Sequence, residues 1–87
     1  MSKPVRNSEV ISRDEQNKTV LFDSRSGEIY LVNSTATYVW SLCGGSLDSD
    51  EIANAVSTKF NAKNRDVKAD VKKLLDRLSE LGLVEFR

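Results

Sequence analysis

YLVNSTATYVWSL, residues 30–42, is the stretch from which the rest of the chain can be read. An apolar strand gives way there to a helix. Asn33 stands at the change, and its short side-chain carbonyl can accept from a backbone N–H two or three residues on, as a helix N-cap does. The first helix is therefore expected to begin at Ser34 or Thr35. Ala36, Val39, Trp40 and Cys43 then follow at helical spacing and form one apolar stripe that carries the tryptophan into a core. Gly44 and Gly45 are expected to stop the helix, since glycine takes the left-handed C′ conformation without steric cost.

Upstream of this stretch the chain reads as extended. Met1 to Pro4 is unpatterned and is expected to fray. Val5 to Ser12 suits a first edge strand or an extended arm, and Arg13 to Asn17 is wholly polar and suits a hairpin loop. Lys18 to Asp23 is short and rich in β-branched and aromatic residues, which predicts a second strand. A turn ending at Gly27 leads to a third strand, Glu28 to Val32, and two strands so close in sequence should form an antiparallel hairpin.

Downstream it reads as helical. Asp48 and Glu51 have the spacing of a capping box, and Asp50 and Glu51 place negative charge at the positive end of a second helix. Ile52, Ala55, Val56, Lys59 (by its stem) and Phe60 are its expected buried stripe, and the helix should fade over residues 61–64. The third helix is capped by Asn64 in this reading, with Val67, Val71, Leu74, Leu75, Leu78 and Leu81 on its apolar stripe and Gly82-Leu83 as a Schellman end. Val84-Glu-Phe86 alternates, as a short terminal strand or a segment packed beneath the sheet would. The whole is expected to be one α+β domain spanning residues 1–87. A three-stranded antiparallel sheet is followed by three helices, an arrangement like a winged helix-turn-helix, because neither layer can bury its apolar face alone.

Composition narrows the chemistry. Eighty-seven residues suffice for one core but not for a further catalytic lobe. Thirteen Lys and Arg balance thirteen Asp and Glu, whereas a nucleic-acid binder usually carries a basic surplus or stripe. The absence of histidine removes a Ser-His-Asp site and imidazole ligation, and a single cysteine allows no internal disulfide. Cys43, on an apolar stripe, reads as a small buried hydrophobe in preference to a reactive thiol. Asp48, Asp50 and Glu51 read as a helix start in preference to a metal or acid–base cluster. Lys68, Lys72, Lys73 and Arg77 form the best basic group, but Asp66, Asp70, Asp76 and Glu80 are interleaved with them, as on a solvated face of mixed sign. Neither a signal segment nor an apolar run of the roughly 20 residues a membrane span needs is present, so a cytoplasmic protein is expected, with no catalytic site, metal or cofactor.

The third strand is the exception to this plainness. Ile29, Tyr30, Leu31 and Val32 are apolar on both faces, although a strand with one face in water should alternate. Either helices or the terminal segment cover both sides, or the strand lies at a sheet edge beside the third helix and leaves a groove. Such an edge carries no proline or lysine to block it and can take up an extended peptide as a further strand.

Gly27, Tyr30, Val32, Asn33, Thr35, Ala36, Val39, Trp40 and Leu42, followed by Glu51-Ile52 and Leu81-Gly82-Leu83-Val84, together resemble the PqqD family, coenzyme PQQ synthesis protein D. They equally resemble the recognition elements of ribosomally made, modified peptides, including the stand-alone versions of lasso-peptide systems. The likeness runs from about Val5 to Val84, with Val32 where the family usually has leucine. It implies a non-enzymatic peptide chaperone that binds the leader of a precursor peptide as a strand against Glu28, Ile29, Tyr30, Leu31 and Val32. Asp70, Leu74, Arg77 and Leu78 of the third helix would form the other wall; Lys68, Lys72 and Leu75 lie on the opposite flank of the stripe. The partners implied are the precursor peptide and a radical SAM maturase or a leader peptidase. A winged-helix DNA-binding regulator and a structural subunit that keeps its third strand permanently covered are the rival expectations.

Overall fold

In the computed structural model of the chain the described residues are 2–16, 18–61 and 64–87, residues 64 and 65 by backbone alone. Three consecutive strands, β2 (Val10–Glu15), β3 (Lys18–Asp23) and β4 (Glu28–Val32), pair antiparallel in the order β2-β3-β4. Helices α1 (Ser34–Ser41), α2 (Ser49–Phe60) and α3 (Asn64–Glu80) follow, as expected. A separate two-stranded sheet joins β1 (Pro4–Arg6) to β5 (Val84–Phe86).

The pairing of β1 with β5 corrects the reading of the N-terminus. The expected single strand from Val5 to Ser12 is two, separated at residues 7–9, because β1 pairs with the end of the chain and β2 with β3. The expected fraying stops short of Lys3, which exchanges two main-chain hydrogen bonds with Arg87 (2.6 and 2.9 Å), and Pro4 is fully buried. Arg13 to Glu15, expected in a loop, extend β2. Cross-strand pairing with Lys18–Val20 holds these polar residues in a strand that their composition alone would not favour. Asn17, expected in the turn, lies outside the described residues; Gln16 before it takes the left-handed conformation, φ 52°.

Asn33 caps α1, its Oδ1 accepting from the Ala36 N–H at 2.9 Å. The helix ends before the double glycine, at Leu42, because tertiary contacts stop it sooner. Arg6 donates from Nη1 to the carbonyls of Trp40 (3.0 Å) and Ser41 (2.9 Å), taking up acceptors that a helix end leaves open. Gly45 then passes close to β1, where a Cβ would stand 3.1 Å from Val5 Cγ2. Cys43 thus lies beyond α1 yet is fully buried, its Sγ donating to the Val39 carbonyl, and burial pushes its thiol pKa up to about 11.

The capping box of α2 forms in both directions at 2.9 Å: Asp48 accepts from the Glu51 N–H, and Glu51 accepts from the Asp48 N–H. Its buried stripe is Ile52, Ala53 and Val56. Ala55 is only half-buried, Phe60 is exposed, and Lys59 lies over the Tyr38 ring instead of burying its stem. The stripe is displaced because α2 packs on α3 along most of its length and meets α1 only in part. Val67, Val71, Leu75 and Leu78 of α3 are buried, Leu74 and Leu81 half-buried. The expected Asn64 cap depends on a side chain outside the described set, as do Ala62 and Lys63 between the helices. Gly82, φ 75°, ends α3 with the Gly82 N–H donating to Ser79 and the Leu83 N–H to Leu78, the bonds of a Schellman end.

One core results. Leu21, at the centre of β3, is fully buried and clusters with Val39, Trp40, Ile52, Val56, Val71, Leu75, Leu78 and Leu83. Burying apolar area on this scale is what holds so small a domain together, at about 25 cal/mol per Å² removed from water. Tyr30 and Val32 of β4 pack on its margin. The sheet therefore has an inner face on the helices and an outer face free of them.

Candidate functional site: an open strand edge beside a helix

β4 is bonded to β3 along one edge, from Glu28 opposite Asp23 to Val32 opposite Thr19. Among the described residues no strand pairs with its other edge. Alternate residues of β4 therefore turn main-chain N–H and C=O groups to a side on which no described strand meets them. β5, a candidate cover for β4 in the sequence, pairs with β1 instead.

The two faces of β4 differ, which settles how an apolar strand can lie at an edge. Tyr30 and Val32 are half-buried toward the helices, whereas Ile29 is 67 % and Leu31 62 % exposed on the outer face. Nothing among the described residues covers the outer pair. The expectation that helices or the terminal segment enclose both faces is thus not met on the outer side.

Next to the end of β4, an apolar cleft of about 330 Å³ lies between the start of α1, with its cap Asn33, and α2 and α3. Asn33 and Ala36 line one side, Val56 and Phe60 the floor and rim, and Val71, Leu74 and Asp70 the α3 side. Farther along the helix, Arg77 approaches Tyr30. Burial raises the Tyr30 phenol pKa above its ordinary value, the Glu28 carboxylate raises it further, and the Arg77 charge pulls it back. The phenol donates to Glu28 Oε2 at 3.2 Å.

Of the α3 residues singled out from the sequence, Asp70 and Leu74 line this cleft together with residues of α1 and α2, and Arg77 lies close enough for its charge to act on Tyr30. Leu78 does neither: at 3 % exposed it sits in the core and supports α3 from behind. Leu75 is likewise core. On the other flank, Lys68 faces α2 through an exposed ion pair with Asp50 (3.7 Å), and Lys72 lies with Asp48, Asp76 and Phe86. The two flanks therefore face different neighbours, a matter that periodicity could not decide.

One residue that bears on the cleft gave no signal in the sequence. Arg25, in the turn before β4, donates from Nε to Asp23 Oδ1 (3.0 Å) and from Nη2 to Asp23 Oδ2 (2.8 Å), and Nη2 also reaches the Gly82 carbonyl at 2.8 Å. A two-pronged contact of this kind fixes direction as well as distance. It ties the β3–β4 turn to the C-terminal end of α3. Asp23, buried on the sheet, has its carboxyl pKa held below the ordinary value first by the hydrogen-bonded Arg25 side chain, burial opposing this in part.

The arrangement offers main-chain pairing, apolar side-chain space and one charge of each sign, the means by which extended peptides are bound. Among the described residues no group of three or more acidic, cysteine or histidine side chains is placed to hold a metal ion. No helix among them is long and apolar enough to cross a membrane.

The model of the PqqD family, described as coenzyme PQQ synthesis protein D, matches residues 18–84. The fold is similar to that of two solved structures. One is described as TbiB1 in complex with the TbiA(beta) leader peptide; it is 21 % identical, with 93 % of this chain and 94 % of that one aligned at a TM-score of 0.82. The other is a lasso peptide synthetase B1 complexed with the leader peptide, 22 % identical over 95 % of this chain and 98 % of that one, again at 0.82. None of the curated proteins compared matches this chain.

Proposed function

Because this chain belongs to the PqqD family, we propose that it is a non-enzymatic peptide chaperone that binds the leader segment of a ribosomally synthesised precursor peptide. The leader adds as a strand to the open edge of β4, along Glu28, Ile29, Tyr30, Leu31 and Val32, and the precursor is presented to a modifying enzyme, a radical SAM maturase or a leader peptidase. The observation that carries this reading is a five-residue strand whose far edge no strand among the described residues pairs, with an apolar cleft against α3 that begins at Asn33, the residue after its end. The leader-bound state of the two similar structures supports it.

Main-chain bonds to β4 supply affinity that any extended segment can use. Selectivity comes from alternate leader side chains, which point inward past Tyr30 and Val32. An apolar one fits the cleft at Leu74 and Val71, where water is poorly accommodated among apolar walls. Asp70 and Arg77 stand at the rim to meet a basic and an acidic or polar group of the leader, and Leu78 holds the helix wall in place. The protein itself performs no bond chemistry in this scheme, and it acts in the cytoplasm where precursor peptides are made.

An amide NMR titration with the leader of the precursor encoded beside its gene tests this. Shifts should gather on residues 28–32 and 70–77. Silence toward the leader, together with salt-sensitive shifts along Lys68 to Arg77 on adding duplex DNA, would overturn the reading in favour of a winged-helix regulator.

A further inference from the structure

Two arginines lie within electrostatic reach of Tyr30, and they are differently engaged. Arg25, in the turn before β4, spends its charge on the buried carboxylate of Asp23 through two parallel bonds of 3.0 and 2.8 Å. Arg77, on α3, has Glu80 as its ion-pair partner at 3.7 Å, and both side chains are exposed, so water and salt weaken the pair. Of the two, Arg77 is the more available to a ligand. Arg25 is matched already, and what it does has to be sought in its remaining contact.

That contact is with the end of α3. Nη2, besides bonding Asp23, donates to the Gly82 carbonyl at 2.8 Å, and Gly82 carries the left-handed turn that ends the helix. A Cβ on Gly82 would stand 3.1 Å from the same Nη2, so the guanidinium seats closely on the glycine. α3 packs along α2 and against β5, and Arg25 joins its last turn to the β3–β4 hairpin. Arg77 lies five residues before Gly82, about 7.5 Å along the axis at 1.5 Å per residue. Pinning the last turn therefore sets both the height and the direction at which Arg77 leaves the helix.

We propose, on the reading that a leader strand adds to β4, that Arg25 is a positioning residue for its recognition: braced by Asp23, it fixes the end of α3 so that Arg77 is held where an acidic or polar group of the leader passes. Arg25 itself makes no contact with the leader. A recognition group works only within a narrow range of geometry, and the hydrogen bonds of the residues behind it are what lock it there. Arg25→Lys keeps a charge beside Asp23 but replaces the planar fork by a point charge, which cannot fix a direction.

A double-mutant cycle on the full chain separates positioning from mere support. Affinity for the leader of the precursor encoded beside its gene, and melting temperature, are measured for the parent, Arg25→Lys, Arg77→Met and the two combined. Each single substitution should weaken leader binding about tenfold, and the two together also about tenfold, because once Arg77 is gone its placement no longer matters. Losses in melting temperature should add instead, since Arg25 pairs with Asp23 and Gly82 whereas Arg77 pairs with Glu80. Asp23→Asn, which keeps the shape of the brace and removes its charge, takes the place of Arg25→Lys in the cycle if that variant does not fold. A combined loss of about a hundredfold, the product of the singles, overturns the positioning role and leaves Arg25 a structural residue. Leader binding within about twofold of the parent in both Arg25→Lys and Asp23→Asn overturns it too. Undiminished binding in Arg77→Met does the same, with strand addition to β4 left standing. Failure of the parent to bind the leader removes the leader-binding reading first and the positioning role with it.

Discussion

Methylating the backbone nitrogens of a bound leader one position at a time should weaken binding with a period of two residues. β3 already takes up the hydrogen-bonding groups on one edge of β4, so a leader strand meets only the other edge, across five residues. In either ladder geometry, alternate residues of an added strand turn their N–H and C=O toward that edge. A methyl on one of these nitrogens removes a donor, leaves a β4 carbonyl without a partner and separates the strands. The cost is about 1–3 kcal/mol per position, or roughly 5- to 150-fold in Kd. Methylation at the intervening positions, whose nitrogens point away, should stay within about 0.5 kcal/mol, near twofold. Fluorescence anisotropy with a labelled parent leader and methylated competitors reads the series directly. Losses that recur every three or four residues would refute strand addition and indicate a helical ligand in the cleft. A flat series would show that side chains alone hold the leader.

Other outcomes follow from the packing. Leu21→Ala empties a fully buried site at the centre of the core and should cost about 3 kcal/mol, lowering the melting temperature by about 12–24 °C for a domain of this size; Trp40 fluorescence follows the transition, and a drop of only a few degrees would count against the described core. Because Arg25 holds the Asp23 pKa low in the folded state, the stability this pair contributes is fully present above the unfolded carboxylate pKa of about 4 and is lost as pH falls through the folded value. Melting temperature should therefore fall on acidification below about pH 4 more steeply for the parent than for Asp23→Asn, and identical slopes would remove the pair from the balance. Cys43, with its thiol raised to about 11, should resist a disulfide reagent at pH 8 until denaturant is added; prompt labelling of the native protein would show that the segment after α1 opens.

Much of the fold was legible because its signals are local. Asn33, Asp48 with Glu51, and Gly82 each act on backbone groups within a few residues, and all three form the caps that their chemistry predicts. The hairpin from Lys18 to Val32 was legible for the same reason. The N-terminal reading failed where the decisive partner was remote: Pro4–Arg6 becomes a strand by pairing with residues 84–86, and α1 ends early because Arg6 reaches its last carbonyls. The polar segment Arg13–Glu15 likewise becomes a strand through its neighbour and not through its own propensity.

By itself, then, the sequence determined the Lys18–Val32 hairpin, the three helices in their order, three of the caps, most of the stripe of α3 and the anomaly of an apolar strand at Glu28–Val32. Periodicity specifies which side chains share a face, and that is a property of one segment alone. What only the tertiary structure decided is what each face meets. It set β4 at the edge of the sheet, placed Asp70 and Leu74 on a cleft shared with α1 and α2 while sending Leu78 into the core, and joined the turn at Arg25 to the end of α3. It also aligned Ile11, Phe22 and Ile29 into one exposed row. Such neighbours are set by strand register and helix packing between segments far apart in the chain, where no local propensity reaches.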